Sequence, residues 1–158
     1  TETDGNSGKA VHLKAVEDIA DLSLYSLGVA NNGGGTDSIE FNLPTMSVSA
    51  GEDILIAREP SALESYFETT CYGEFEHIIQ TDEMSQNGDD AIELFKGTAV
   101  IETYGDADVD GTDQSWEYAG SWAYKLGGNW TTGLVNCSEG SSSTLESDCI
   151  YPLCDNPL

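Results

Sequence analysis

The sequence predicts an all-β fold, an antiparallel sandwich or barrel, from three observations. Apolar and polar residues alternate in short segments with the two-residue period of strands rather than the 3.6 of helices. Clusters of Gly, Asn and Asp punctuate these segments as turns do. No apolar run approaches the roughly 20 residues that a membrane-spanning helix needs. At 158 residues the chain is one domain in size and buries about 70% of its unfolded surface, enough for a core of its own.

Element by element, the first few residues read as a frayed lead-in, and Val11 to Val16 and Leu22 to Val29 as the first strands. "SIEFNL" places Ile39, Phe41 and Leu43 on one face. "DILIAR" carries Ile54, Leu55 and Ile56 in a row, the spelling of a strand buried on both sides. Pro60 then opens one short helix, "PSALESYF", with Leu63, Tyr66 and Phe67 on one side. "EHIIQ" follows as a strand, and "NGDD" marks a tight turn in which an Asp caps nearby backbone N–H groups. "AIELF" and "AVIETY" flank Lys96-Gly97-Thr98 as a β-hairpin. "SWEYAGSWAYK" reads as a closing aromatic strand.

The charge balance is extreme, 29 acidic against 5 basic residues for a formal net of -24. Phosphate backbones and anionic membranes are repelled by such a surface, which excludes nucleic acid and membrane insertion as expected partners. Acidity on this scale suits solubility in salt and contact with divalent cations. The start "TETDGNSGKA" lacks the basic and apolar runs of a signal peptide. Cys71, Cys137, Cys149 and Cys154 are disulfide candidates, three of them in a Ser-rich tail. Four cysteines allow three pairings; zinc is disfavoured because no C-x-x-C pair occurs and His12 and His77 lie far off.

One stretch spells a metal site. "GDADVDGTDQSWE" fits the calcium-loop pattern, with Asp106, Asp108, Asp110, Thr112 through its carbonyl, Gln114 through water, and Glu117 as oxygen ligands. Gly111 stands where the sharp turn is required. Its flanks read as strands, however, whereas an EF-hand has helices on both sides. With Trp116 and Tyr118 turned into a core, Glu117 points outward. What remains is a three-aspartate loop able to hold Ca²⁺, with no cofactor required.

Catalytic spellings are absent: there is no G-x-S-x-G and no H-E-x-x-H, and neither histidine has an evident partner in the sequence. A glycosidase-type carboxylate pair leaves no sequence mark among so many acids, so a hydrolase stays as a lesser alternative. Trp116, Tyr118, Trp122, Tyr124 and Trp130 fall within fifteen residues. The first four read as core; Trp130, beyond Gly127-Gly128-Asn129, is the candidate for an exposed ligand surface. Asn129-Trp-Thr and Asn136-Cys-Ser also spell glycosylation acceptors.

Three blocks in order, "ADLSLYSLGVANNG", "NGDDAIELFKGTAVIETYGD" and "VDGTDQSWEYAGSWAYKLGG", resemble the lamin tail domain in its marine-bacterial secreted and surface form. The resemblance covers residues 8–129 and is most specific from Asn87 to Lys125. It implies an immunoglobulin-like antiparallel β-sandwich; the short helix read at Pro60 to Phe67 is an insertion at the edge of the family pattern, so the sandwich spans residues 8–130 and an irregular Cys-containing tail follows at 131–158. It also implies a secreted or surface location and a structural, adhesive or binding role toward protein or glycan, not an enzyme. In that family the stretch from Val109 to Tyr118 recurs as a feature of the fold.

Overall fold

The computed structural model describes residues 7–149, with the backbone but not the side chains of residues 68–70. The first six residues, where the lead-in is expected, and Cys154 lie outside this range. Among the described residues the chain is mostly β-strand with one short helix. Strands β1 (Ala10–Lys14), β4 (Asp53–Ala57) and β5 (His77–Gln80) form one sheet in the order β1-β4-β5. Strands β2 (Tyr25–Ala30), β3 (Phe41–Asn42), β6 (Ala91–Lys96) and β7 (Ala99–Tyr104) form a second in the order β3-β2-β6-β7. A hairpin of β8 (Ala123–Leu126) and β9 (Asn129–Thr132) forms a third, two-stranded sheet.

Both sheets contribute to one core. Leu27 and Val29 of β2 meet Ile54 and Ile56 of β4, with Leu22, Leu43, Val48 and Met84 closing the cluster. Because side chains alternate along a strand, Leu55 and Ala57 of β4 face the other way. There they pack on Leu63, Phe67 and Cys71 of helix α1 (Pro60–Tyr72) and on Phe75. This double covering explains the uninterrupted apolar run of "DILIA". Ile54, Leu55 and Ile56 are each 2% exposed or less, and burial stabilises each by about 1.5–3 kcal/mol.

The helix is longer than its apolar face alone predicts, and it changes the topology. Proline opens it because the missing N–H is not needed in the first turn. Leu63, Phe67 and Cys71 then repeat every four residues as a buried stripe. The helix carries the chain back over the sheet, so β5 pairs with β4 in parallel, Ile54 opposite His77 and Ala57 opposite Gln80. The expectation of a purely antiparallel arrangement is corrected at this pair. A parallel neighbour needs a crossover of about a dozen residues, and α1 supplies it rather than being an insertion at the margin.

Other elements match the sequence reading more closely. β6 and β7 pair antiparallel around the Gly97-Thr98 turn, with a register shift between Leu94 and Phe95. Leu22–Leu24 is a 3-10 turn capped by Asp21 rather than the start of a strand. Residues 105–122 form turns, so the closing aromatic strand is confined to β8, and β9 follows it. In the tail, Cys137 and Cys149 form a disulfide with Cα atoms 5.2 Å apart. Cys71 is also disulfide-bonded, which removes zinc as the use of these thiols. The tail docks on α1 through Thr144 N–H to the Tyr66 carbonyl at 3.0 Å and a 2.8 Å hydrogen bond between the Tyr66 and Ser141 hydroxyls. No helix among the described residues is long and apolar enough to cross a membrane.

Candidate functional site

Three segments meet at one end of the second sheet: the turn after β2, the turn before β6, and the long connection after β7. The acids spelled as a calcium loop lie on the last of these. Gly35 N–H donates to the Ala107 carbonyl at 2.8 Å, and Gly111 N–H to the Asp89 carbonyl at 2.9 Å. Tyr118 N–H donates to the Gly88 carbonyl at 2.8 Å. Gly88 has φ of 108°, and any side chain there would strike the backbone of Ala119. The "NG" turn is therefore required by close approach as well as by its left-handed backbone.

Asp90 is the centre of this junction and only 2% exposed. Its Oδ1 accepts from Asn32 N–H at 2.8 Å and its Oδ2 from Asn87 N–H at 3.0 Å. The Tyr118 hydroxyl donates to its main-chain carbonyl at 3.0 Å. One buried residue thus ties all three segments together. The capping Asp that the turn spelling implies is Asp90; its bond to Asn32, 58 residues away, has no local signal. Neighbouring Asp89 accepts the Thr112 hydroxyl on Oδ2 at 3.1 Å, while its Oδ1 is buried without a hydrogen-bond partner.

The loop carboxylates turn back on their own backbone. Asp106 Oδ1 accepts from Asp108 N–H at 3.0 Å, and Asp110 Oδ1 from Thr112 N–H at 2.9 Å. Glu117 Oε2 accepts from Asp113 N–H at 2.8 Å. The Thr112 bonds hold the Asp110 carboxyl below its usual range, because they favour the charged form. Asp106, Asp108 and Asp110 are exposed. Among the described residues no group of three or more His, Cys, Asp or Glu side chains is gathered as metal ligands would be. Strand β7 enters the loop and turns leave it, so the helices of an EF-hand are missing.

Aromatic packing accounts for the recurring W-x-Y. Tyr104 sits at the end of β7 with Trp116, Tyr118 and Trp130 around it, ring centroids 6.2, 5.3 and 4.8 Å away. Its hydroxyl donates to the Trp116 carbonyl. Burial raises the pKa of both the Tyr104 and Tyr118 phenols. Trp122 and Tyr124 touch each other at 4.9 Å. Trp130 differs in being 41% exposed. The Lys125 ammonium lies 5.6 Å from its ring and pairs with Glu102 at 2.6 Å.

Both histidines have partners that no local spelling announced. His12 Nε2 lies 2.7 Å from Asp53 Oδ1, and Lys14 donates to the other oxygen of Asp53 at 2.7 Å. His77 Nε2 lies 2.9 Å from Glu52 Oε2. His12–Asp53 is a cross-strand pair between β1 and β4, and His77 of β5 reaches the residue just before β4; both are set by sheet register rather than by motif. Burial lowers the His12 pKa, and the Asp53 hydrogen bond opposes this only in part. Comparison of the chain with family models, with curated proteins and with solved structures finds no match.

Proposed function

We propose that the chain is a non-catalytic module of a secreted or cell-surface protein, an immunoglobulin-like β-sandwich of lamin-tail type that acts by binding or as a structural part. One observation supports this reading: several of the side chains that acid–base chemistry would draw on are hydrogen-bonded into the scaffold. Asp90 holds two loops, Asp106, Asp110 and Glu117 hold turns, His12 rests on Asp53 of the neighbouring strand, and His77 rests on Glu52 just before β4. Disulfide bonding of the tail and of Cys71 fits an oxidising compartment. The sandwich spans residues 8–130 and the tail begins at 131, its described part bracing the sandwich in keeping with the Tyr66–Ser141 contact.

Trp130 is the ligand-facing residue of this module, since an exposed indole offers a flat apolar face to a sugar or a protein side chain. The test is an array of glycans and matrix proteins probed with wild-type chain and with Trp130→Ala. Binding that Trp130→Ala removes supports the reading. Turnover of glycoside, ester or phosphate substrates that Asp89→Asn or Glu102→Gln abolishes, with folding intact, rejects it in favour of a carboxylate hydrolase.

Calcium at the 106–117 loop is the second reading, and the buried, unpartnered Asp89 Oδ1 beside Thr112 is what favours it. A cation there would satisfy an oxygen that the protein does not. At 100-fold excess over its dissociation constant, one bound ion adds about 2.7 kcal/mol of stability. Thermal unfolding in millimolar Ca²⁺ and then chelator reads this directly. An unchanged midpoint at low ionic strength removes the idea, and Asp108→Ala abolishes any real shift.

A further inference from the structure

Only 5 side chains of the chain are basic, against 29 acids. Lys14 and Lys125 each meet a carboxylate, and Lys96 lies over the Tyr25 ring. The other two, Lys9 and Arg58, stand opposite each other. β1 and β4 pair Ala10 with Ala57, and one step further the Arg58 N–H donates to the Lys9 carbonyl at 3.0 Å. Opposite residues of an antiparallel pair share a face with Cβ atoms about 5 Å apart, and like charges placed so are destabilising. Both turn toward the second sheet, since Lys9 alternates with Ala10 and shares the face of Val11, as Arg58 shares that of Ile56.

Their heads converge on consecutive main-chain oxygens. Lys9 Nζ donates to the Ser85 carbonyl at 2.9 Å, and Arg58 Nη1 to the Met84 carbonyl at 3.0 Å. A carbonyl takes up one donor and cancels no charge, so each cation keeps further donors and its full charge. Glu59, Asp82 and Glu83 are exposed at neighbouring positions of the same segments. Among the described residues, even so, neither Lys9 nor Arg58 forms an ion pair. Burial and the Arg58 charge hold the Lys9 ammonium below its ordinary pKa, with Asp90 opposing them. Asp90 itself is committed elsewhere, its two oxygens accepting from the Asn32 and Asn87 N–H groups.

We propose that Lys9 and Arg58 form a binding site for a single sulfate group, held between the ammonium and the guanidinium fork. An oxyanion placed there turns a repulsive pair into charge-assisted hydrogen bonds, and the planar fork matches two of its oxygens. The net charge of -24 repels anions at long range. The site therefore works in salt, which screens charges beyond about 8 Å and leaves the direct contact in place. A sulfate group reaches it either as the free ion or on a sugar, and the two sources are separated by experiment. The site does not rest on Trp130 as the ligand-facing residue, so either can fail without the other.

Replacing chloride with sulfate at a constant ionic strength of about 0.15 M, followed by NMR of the intact protein, tests it. Saturable shifts are expected at the Lys9 and Arg58 side chains and the amides of residues 84–86, with a dissociation constant on the order of millimolar. Lys9→Gln should weaken binding about tenfold, the effect of losing a charge-assisted hydrogen bond. Lys9→Arg keeps both the charge and a donor for the Ser85 carbonyl and should retain binding. Arg58→Lys keeps the charge without the fork and should weaken binding about threefold. Glucose 6-sulfate in a parallel titration identifies the source. Tighter binding than inorganic sulfate supports a sugar-borne group, and equal binding supports the free ion. Trp130→Ala should leave sulfate binding unchanged, and its loss there would overturn the proposal. No saturation, shifts spread equally over Lys14, Lys96 and Lys125, or an unaltered affinity in folded Lys9→Gln would mean an adventitious ion only and overturn it as well.

Discussion

Replacing Asp90 with alanine takes away one side chain and leaves two backbone donors facing it, those of Asn32 and Asn87. Each donor stranded in this partly buried junction costs about 1–2 kcal/mol, the lower part of the range for unsatisfied groups. The lower part applies because removing a buried carboxylate also removes its own desolvation cost. The sum is about 2–4 kcal/mol, a large share of the roughly 5–15 kcal/mol that holds a domain together. For a chain of this size it corresponds to a fall in Tm of roughly 5–15 °C. Asp90→Asn keeps one acceptor oxygen and should lose about half as much. Urea unfolding followed by tryptophan fluorescence gives both values, and amide exchange at Asn32 and Asn87 locates the loss. The Tyr118 bond to the Asp90 carbonyl survives in both variants because it uses the main chain. An alanine variant within about 0.5 kcal/mol of wild type, outside which a surface change rarely falls, would refute Asp90 as the tie. Equal losses for Asn and Ala would refute the two-donor account.

Three further outcomes follow from the same structure. Removing the Cys137–Cys149 bond with a double Ser substitution frees a loop of sequence separation 12 and should cost about 3 kcal/mol; a Tm unchanged on thermal unfolding would contradict this. Gly105 has φ of 82°, and a methyl there would sit 2.8 Å from the Trp116 ring, so Gly105→Ala should lower the urea midpoint by about 1–3 kcal/mol of stability; a midpoint at or above wild type would oppose it. Burial holds the His12 pKa below its ordinary 6.5, so the unfolded chain takes up a proton first and stability falls as pH drops from 6.5 toward the folded value. His12→Gln should flatten that slope in unfolding titrations, and an identical slope would assign the effect to other groups.

The parts of the fold legible in the sequence are those written in local periodicity. The triple apolar run at Ile54 to Ile56 announced a strand covered on both faces, and it is covered by the second sheet and by α1. The Lys96-Gly97-Thr98 turn announced the β6–β7 hairpin because short turns and their strands are neighbours in sequence. The parallel partnership of β4 and β5 was not legible. A helix long enough to cross a sheet and a helix inserted between antiparallel strands share one spelling; only the path of α1 distinguishes them.

The acidic stretch shows the same division at the level of chemistry. Alternating aspartates spell calcium ligands, and they equally spell side chains that accept hydrogen bonds from backbone two residues on. Asp106 and Asp110 do the second. Likewise W-x-Y spells a strand, yet Trp116 and Tyr118 lie in turns and pack around Tyr104.

By itself the sequence determined what each segment offers: apolar faces with a period of two, turn residues, oxidisable thiols and an overwhelming negative charge. Those properties belong to residues and their near neighbours, and they survive any arrangement of the chain. Tertiary structure alone decided who meets whom. Asp90 reaches Asn32, His12 reaches Asp53, and Lys96 lies over the Tyr25 ring, because hydrogen bonds and close packing are completed by groups far apart along the chain.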